Sequence, residues 1–395
     1  MPGPLDGIKV MDLCQATVGP YAACLLGELG ADVIKVESPD TDRGAENLPV
    51  FNGVSHRYIC ANYTKRSIIL DLKSADDRAI AYELARRSDV FMENFRRGVT
   101  ERLGMDYEIL SKVNPRLIYC SSSGWGNKGP LRELPAADSP IQEFSGAASI
   151  NGSPGTRFQK NRAGGQHDLE TSITIVQAIL VGLYHRELTG QGQKVETSML
   201  QANIAAQVSR IAEYFGSGVS PRGGGSASAV ATPDQAFKVQ DGYLTVSCLT
   251  EAQWQGLCQA LGRPELAGDR RFATNALRVR HRDELLSILE PIFMTRPSLW
   301  WLKVLGDADV PSGRFLTYNE IIDHPQYLQN QHVMWVEEPG LGTFTAPGPA
   351  WKFSKTPARV TPGPIPGQHT NQVLQELGFP PRAQIPWEQF IAKGS

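Results

Sequence analysis

The stretch AGGQHDLETS, residues 163–172, sets an adjacent His167–Asp168 pair behind two glycines and directly ahead of an apolar helical run. A carboxylate in that place has two uses. It can cap the helix, because aspartate is a favoured N-cap whose oxygen accepts orphan backbone N–H groups. It can also act as a nucleophile. Glycines ahead of it let a ligand approach the backbone, and a helix N-terminus favours the ionised form that a carboxylate nucleophile needs. Glu170 lies two residues on, off the face that Asp168 occupies, so a two-carboxylate glycosidase is poorly supported. His167 is next in sequence and is expected to point elsewhere, in a structural or minor orienting role.

Other chemistries find little purchase. The six cysteines form no CxxC pair, and neither they nor the seven histidines show zinc-ligand spacing, so no metal site is expected. Scattered cysteines fit reduced thiols and a cytoplasmic location. A formal net charge of −2 gives no electrostatic case for nucleic acid or a polybasic membrane contact. The opening MPGPLDGIKVMDL lacks the charged and apolar regions of a signal peptide. The apolar run near 173–184 is too short to span a bilayer.

The elements that must hold Asp168 are legible as an alternation. GIKVMDL reads as a buried strand, GPYAACLLGELG as a helix and ADVIKVE as the next strand. Pro20 suits the first turn of that helix and Gly30 its end. SIILDL, SADDRAIAYELARRS, DVFMEN and PRLIYCSSSGWG repeat the pattern, with Ser74, Asp76 and Asp77 marking a helix start. Strands and helices of this length predict an α/β fold, a mostly parallel Rossmann-like sheet covered on both faces. The turn after the first strand, CQATVGPYAACLLG, lacks G-x-G-x-x-G, and no P-loop is present, which disfavours a nicotinamide dehydrogenase.

A long helix is predicted over 168–187, then a turn and strand in TGQGQKVETSM. GSGVSPRGGGSASA at 216–229 reads as a linker or mobile loop. QAFKVQDGYLTVSC is a hairpin signal with Asp241–Gly242 at its turn. The expected organisation is a large domain from 1–200 and 330–395, a linker at 201–225 and a smaller inserted α+β domain at 226–329.

Taken in order, PLDGIKVMDL…VGPYAACLLGELGADVIKVE, ANYTKRSIILDLK, ENFRRG, PRLIYCSSSGWGNKGP, HDLETS…LYHRELTGQGQKVETSML, DGYLTV…QW…LC and GQHTNQVLQELG run through nearly the whole chain. In these blocks it resembles the class III CoA-transferases, the formyl-CoA:oxalate and carnitine CoA-transferase family, whose fold the α-methylacyl-CoA racemases share. The resemblance implies that Asp168 is the nucleophile. It implies transfer of CoA from an acyl-CoA to a free carboxylic acid through a mixed anhydride and an aspartyl-CoA thioester. It further implies CoA binding by Gln15, Thr17, Leu72, Lys73, Asn94, Phe95, Arg96 and Arg102, and an interlocked homodimer. CoA thioester is itself the substrate, so no other cofactor is expected.

The chain also departs from that pattern. Where the formyl-CoA enzyme has a first-turn glutamine and an arginine after the second strand, Thr17 and Ser38 stand here, with Gln15 and Arg43 close by. Its glycine loop is out of register, and RGGGSAS is the nearest substitute. A racemase of this fold carries a histidine where Ala137 stands, which counts against racemisation; a racemase and a non-catalytic CoA-binding protein are the alternative readings. Arg157, Arg162, Arg210 and Arg222 are candidates to bind a second carboxylate, which would suit a dicarboxylate acceptor such as succinate or oxalate.

Overall fold

The computed structural model describes residues 2–39, 50–51, 54–156, 158–161, 165–338 and 342–383. Arg43, Arg157 and Arg162 lie outside the described residues. The chain divides into two compact units, one of Met1–Gly146, Asn161–Ala212 and Pro325–Ser395, the other of Ala147–Lys160 and Glu213–His324.

The first unit is built on six strands: β1 (Lys9–Asp12), β2 (Asp32–Glu37), β3 (Lys65–Ile69), β4 (Val90–Glu93), β5 (Ile118–Ser123) and β6 (Gln193–Ser198). They lie in the order β3-β2-β1-β4-β5-β6, and every neighbouring pair is parallel. This is the doubly wound arrangement, in which the chain leaves β1 first to one side and later to the other.

Side-chain alternation explains why both faces are covered. Val10, Val33, Val90 and Ile118 point into one core, under the first helix (Val18–Glu28) and the central helix (Gln166–Thr189). Their neighbours Met11, Ile34, Phe91 and Tyr119 point into the opposite core. There they meet Ile80 and Leu84 of the helix Ala75–Arg86 and Val373, Leu374 and Leu377 of the terminal helix Thr370–Leu377. Arg66 ties that last helix to the sheet, paired with Asp32 at 2.6 Å and with Glu376 at 2.7 Å. Gly30 follows the end of the first helix at φ +102, a left-handed conformation that glycine adopts without strain. Ser74 does precede its helix, but its hydroxyl makes no capping bond there.

Beneath the C-terminal end of β1 a charged cluster is fully buried. Asp12 Oδ2 accepts from Lys65 Nζ at 2.9 Å and its Oδ1 from the Cys14 N–H at 2.8 Å. Lys65 also donates to the carbonyls of Pro20 and Ala61 and to Asn62 Oδ1, at 2.7, 3.1 and 3.0 Å. Lys35 Nζ donates to the Cys14 carbonyl at 2.8 Å. Burial works to raise the Asp12 pKa, and the Lys65 and Lys35 ammonium groups outweigh it, holding the carboxyl below its ordinary range. Every polar atom of this cluster that is buried therefore has a partner, which is the condition for keeping charge inside a core.

The second unit carries the expected hairpin, Asp234–Val239 against Gly242–Ser247, with Ser312–Arg314 as a third antiparallel strand. Its core gathers Phe237, Leu244, Trp254, Leu289, Phe293 and Trp301. The interval 201–225 differs from the linker expected there: Met199–Ala206 and Val208–Ser217 are helices. The Gly/Ser-rich part takes over only beyond Ser217, where the second of these helices ends. The RGGGSAS stretch is packed within the second unit, where the Gly225 N–H donates to the Gly152 carbonyl at 2.8 Å. A Cβ on Gly223 would stand 2.6 Å from that same carbonyl oxygen, so the close approach needs glycine.

Candidate active site

In a doubly wound sheet, ligands bind outside the carboxyl ends of the strands where the strand order reverses. Here that point lies between β1 and β4. The two loops leaving it are clasped: the Gln15 N–H donates to Asn94 Oδ1 at 2.8 Å, and Asn94 Nδ2 returns a bond to the Gln15 carbonyl at 2.9 Å. Ala16 between them sits at φ +60, a strained conformation for a residue with a Cβ. Gly19, one turn on, lets the first helix close over β1, because a Cβ there would lie 2.3 Å from that of Cys14.

Above this clasp opens a cleft of about 1110 Å3, roomier than the roughly 300–1,000 Å3 of most small-molecule sites. Gln15, Thr17, Leu72, Lys73, Asn94, Phe95 and Arg96 all line it, together with Asp168. Seven positions, from Gln15 to Arg96, thus share one cleft with this carboxylate. Arg102 is not among the lining residues. It is exposed on the short helix Val99–Leu103, with its guanidinium beside Gly98.

Asp168 is not the helix cap. Gly165 holds the N-cap position at φ +82, and Asp168 is the third residue of the central helix. Among the described residues its carboxylate accepts no hydrogen bond, while its own helix turn is pinned through Ser172, whose hydroxyl donates to the carbonyls of Asp168 and Val18 at 2.9 and 2.7 Å. A Cβ on Gly165 would come within 2.9 Å of Asp168 Oδ2, so that glycine keeps room for the carboxylate.

Burial, with the Asp138 carboxylate nearby, pushes the Asp168 pKa up to about 6, against the smaller opposing pull of Arg57 and His167. The expected lowering by the helix N-terminus is therefore not the net result. The group is still mainly ionised at neutral pH. It is a half-buried anion that, among the described residues, has no donor to displace before its lone pair reacts.

His167 is buried and turned away from the cleft chemistry. Its Nδ1 meets Glu170 Oε2 at 2.7 Å and also Asn203 Nδ2. Its backbone N–H donates to Asp138 Oδ1 at 3.0 Å. Glu170 thus pairs with His167, and Gln166 Nε2 donates to it at 3.0 Å. Ala137, where a racemase histidine would stand, lines the cleft as the residue ahead of the helix Asp138–Phe144.

Two residues near the carboxylate have no counterpart among the sequence candidates. Asp138 follows Ala137 in LPAADSP, and Arg57 lies in SHRYICAN, which matches no motif. Both are brought to Asp168 across long sequence separations. Arg210 is on the helix Val208–Ser217, and Arg222 belongs to the second unit, so neither is a lining residue of this cleft.

Comparison with known proteins agrees with this architecture. The profile of CoA-transferase family III matches residues 5–370. Human succinyl-CoA:glutarate CoA-transferase is 34% identical over 377 residues, spanning 95% of this chain and 86% of that one. Formyl-CoA:oxalate CoA-transferase of Streptomyces coelicolor is 35% identical, with 95% of each chain covered. A CAIB/BAIF family protein from Brucella suis superposes with a TM-score of 0.84 at 32% identity, over 95% of this chain and all of that one. The chain belongs to CoA-transferase family III. It is an enzyme, a class III CoA-transferase. Among the described residues no helix is long and apolar enough to cross a membrane.

Proposed function

We propose that this enzyme moves CoA from an acyl-CoA thioester to a small free carboxylic acid, with Asp168 as the covalent relay. The Asp168 carboxylate attacks the thioester carbonyl, the C–S bond breaks and CoA leaves as thiolate. The resulting acyl–aspartyl anhydride is then attacked by that thiolate at the aspartyl carbonyl. The first acid departs as its carboxylate and an aspartyl-CoA thioester remains. The acceptor carboxylate attacks this thioester, again freeing thiolate, which takes the acceptor's acyl group from the second anhydride and returns Asp168 to its ionised state. Each step exchanges one activated acyl group for another, so no ATP, metal or redox group is required.

The observation that carries this reading is the Asp168 carboxylate, which accepts no hydrogen bond among the described residues and lines a large cleft at the strand-order switch point. The lining residues divide the work. Lys73 and Arg96 suit the phosphates of CoA. Gln15 and Asn94, locked to each other, fix the walls near the thioester end. Glutarate and oxalate are named as acceptors for the two relatives, and we read the acceptor here as a dicarboxylate too. Ala137 provides no acid or base for proton abstraction, which disfavours racemisation.

A homodimer forms part of the same proposal. Ile173, Val181, Tyr184 and Leu188 of the central helix are each more than half exposed in the single chain, an unusual concentration of apolar surface. Sedimentation equilibrium of the purified chain tests it, a single monomeric species being the contrary result. The chemistry is tested by intact-mass spectrometry after mixing with acetyl-CoA or succinyl-CoA, with hydroxylamine trapping. A hydroxylamine-sensitive CoA adduct on wild type and none on Asp168→Ala is expected. Adduct on both proteins would remove Asp168 from the nucleophile role.

A further inference from the structure

We infer that Arg57 selects the acceptor, gripping the far carboxylate of a dicarboxylic acid while its near carboxylate attacks the thioester carried on Asp168. This rests on Asp168 being the nucleophile, and it assigns the acid-binding role to a residue other than the four arginines named from sequence.

Arg57 and Asp168 line the same cleft. Most of the other cations there are engaged. Arg97 and Arg132 both reach Glu133, at 3.4 and 3.1 Å, and Lys194 reaches Glu196 at 2.5 Å. Arg57 makes no hydrogen bond or ion pair among the described residues, and its side chain is exposed. The helix that presents it, His56–Asn62, is nevertheless firmly seated. Tyr58 Oη donates to Glu37 Oε1 at 3.1 Å, and buried Lys65 binds the Ala61 carbonyl and Asn62 Oδ1. A guanidinium without a partner among the described residues, on a fixed base, is a pre-organised carboxylate receptor, and its planar fork donates to both oxygens at once.

Charge makes the timing specific. In the resting enzyme the Asp168 anion lies within reach of the Arg57 charge and partly balances it. Once Asp168 is converted to the CoA thioester it is neutral, and Arg57 is left without that counter-charge. The cleft becomes most attractive to an acid at the stage when the acceptor must enter. The carboxylate held in the fork has one lone pair on each oxygen engaged and its charge offset, which lowers its nucleophilicity and fixes it at the guanidinium, away from the thioester. The attacking group is the other end of the same molecule, and a monocarboxylate has no such second end.

The test uses the full-length protein with acetyl-CoA as donor, and succinate, glutarate and butyrate as acceptors. Arg57→Ala should raise the KM for succinate and glutarate by about 10- to 100-fold, the scale of a lost charge-assisted pair. The preference for dicarboxylate over butyrate in kcat/KM should fall by a similar factor. Arg57→Lys should recover part of it, because the charge survives without the fork. Equal losses for all three acids, unchanged KM values, or a wild type that shows no dicarboxylate preference would each overturn the assignment. The hydroxylamine-sensitive adduct with acetyl-CoA is measured in parallel on wild type and Arg57→Ala. If wild type forms it while selectivity is untouched, Arg57 alone is misassigned. If wild type forms none, the nucleophile reading falls and this inference with it.

Discussion

Asp12 and Asp168 are aspartates at opposite extremes of accommodation. Asp12 is wholly buried at the C-terminal end of β1, bonded to the Lys65 ammonium and to a backbone N–H, with a pKa below its ordinary range. Asp168 is half-buried at the cleft, without a bonded donor among the described residues, and its pKa is raised to about 6. Both feel the cost of leaving water. What separates them is whether the protein returns the lost hydration through donors. The satisfied carboxylate holds the fold together and is chemically idle. The unsatisfied one destabilises its surroundings and is ready to react, as strained functional groups commonly are.

The largest effect should come from deleting the reactive member. Asp168→Asn should lower kcat for CoA transfer by at least about 10³-fold, since removal of a nucleophile eliminates the covalent route. The same variant should gain thermal stability at pH 7.5. The sign follows from the raised folded-state pKa: the penalty of the ionised carboxyl is full above about 6 and vanishes below the unfolded value of 3.8. Melting curves of the two proteins should therefore converge toward pH 4. A stability loss at pH 7.5 would mean that Asp168 is a structural residue after all.

Next in size is the idle member. Lys65→Met leaves buried Asp12 with only the Cys14 N–H and the more distant Lys35 ammonium at 4.0 Å, and denaturant unfolding should show a loss of about 3–5 kcal/mol. An Asp12→Asn/Lys65→Met double variant should lose less than the sum of the single changes. Additive losses would show that the two groups are not coupled.

A smaller effect concerns the pH profile. The transfer rate under limiting acyl-CoA should fall as pH drops through about 6, where Asp168 takes up its proton. Asp138→Asn removes the neighbouring negative charge and should move that acid limb downward. A limb that stays in place would sever the link between Asp138 and the nucleophile. The smallest contrast is between two arginines: Arg96→Ala should raise the KM for acyl-CoA several-fold, while Arg102→Ala, outside the cleft lining, should change it by less than about twofold, in line with an exposed charge. Equal effects would extend the CoA site to the short helix.

Much of this was readable in advance because it depends on local pattern. The strand and helix alternation, the hairpin at Asp241–Gly242 and the position of Asp168 at the start of the central helix all follow from residue periodicity and turn chemistry. Helix ends were less so. Asp168 reads as an N-cap by residue type, but Gly165 takes that place by entering the left-handed region at φ +82. The interval 201–225 reads as a linker because its glycines dominate the eye, although VSRIAEYF before them has helical composition.

The amino-acid sequence alone determined the order of strands along the chain, the two-faced burial of the sheet and the presence of a carboxylate beside a glycine pair, since each rests on neighbours a few residues apart. Only the tertiary structure decided that Arg57 and Asp138 stand near Asp168 while Arg102 does not line its cleft. It also decided that Asp12 finds Lys65, 53 residues away, while the Asp168 carboxylate accepts no bond among the described residues. Charge interaction and desolvation depend on distance and surroundings in space, and those are set by how β1, β4 and the central helix converge, not by their spacing along the chain.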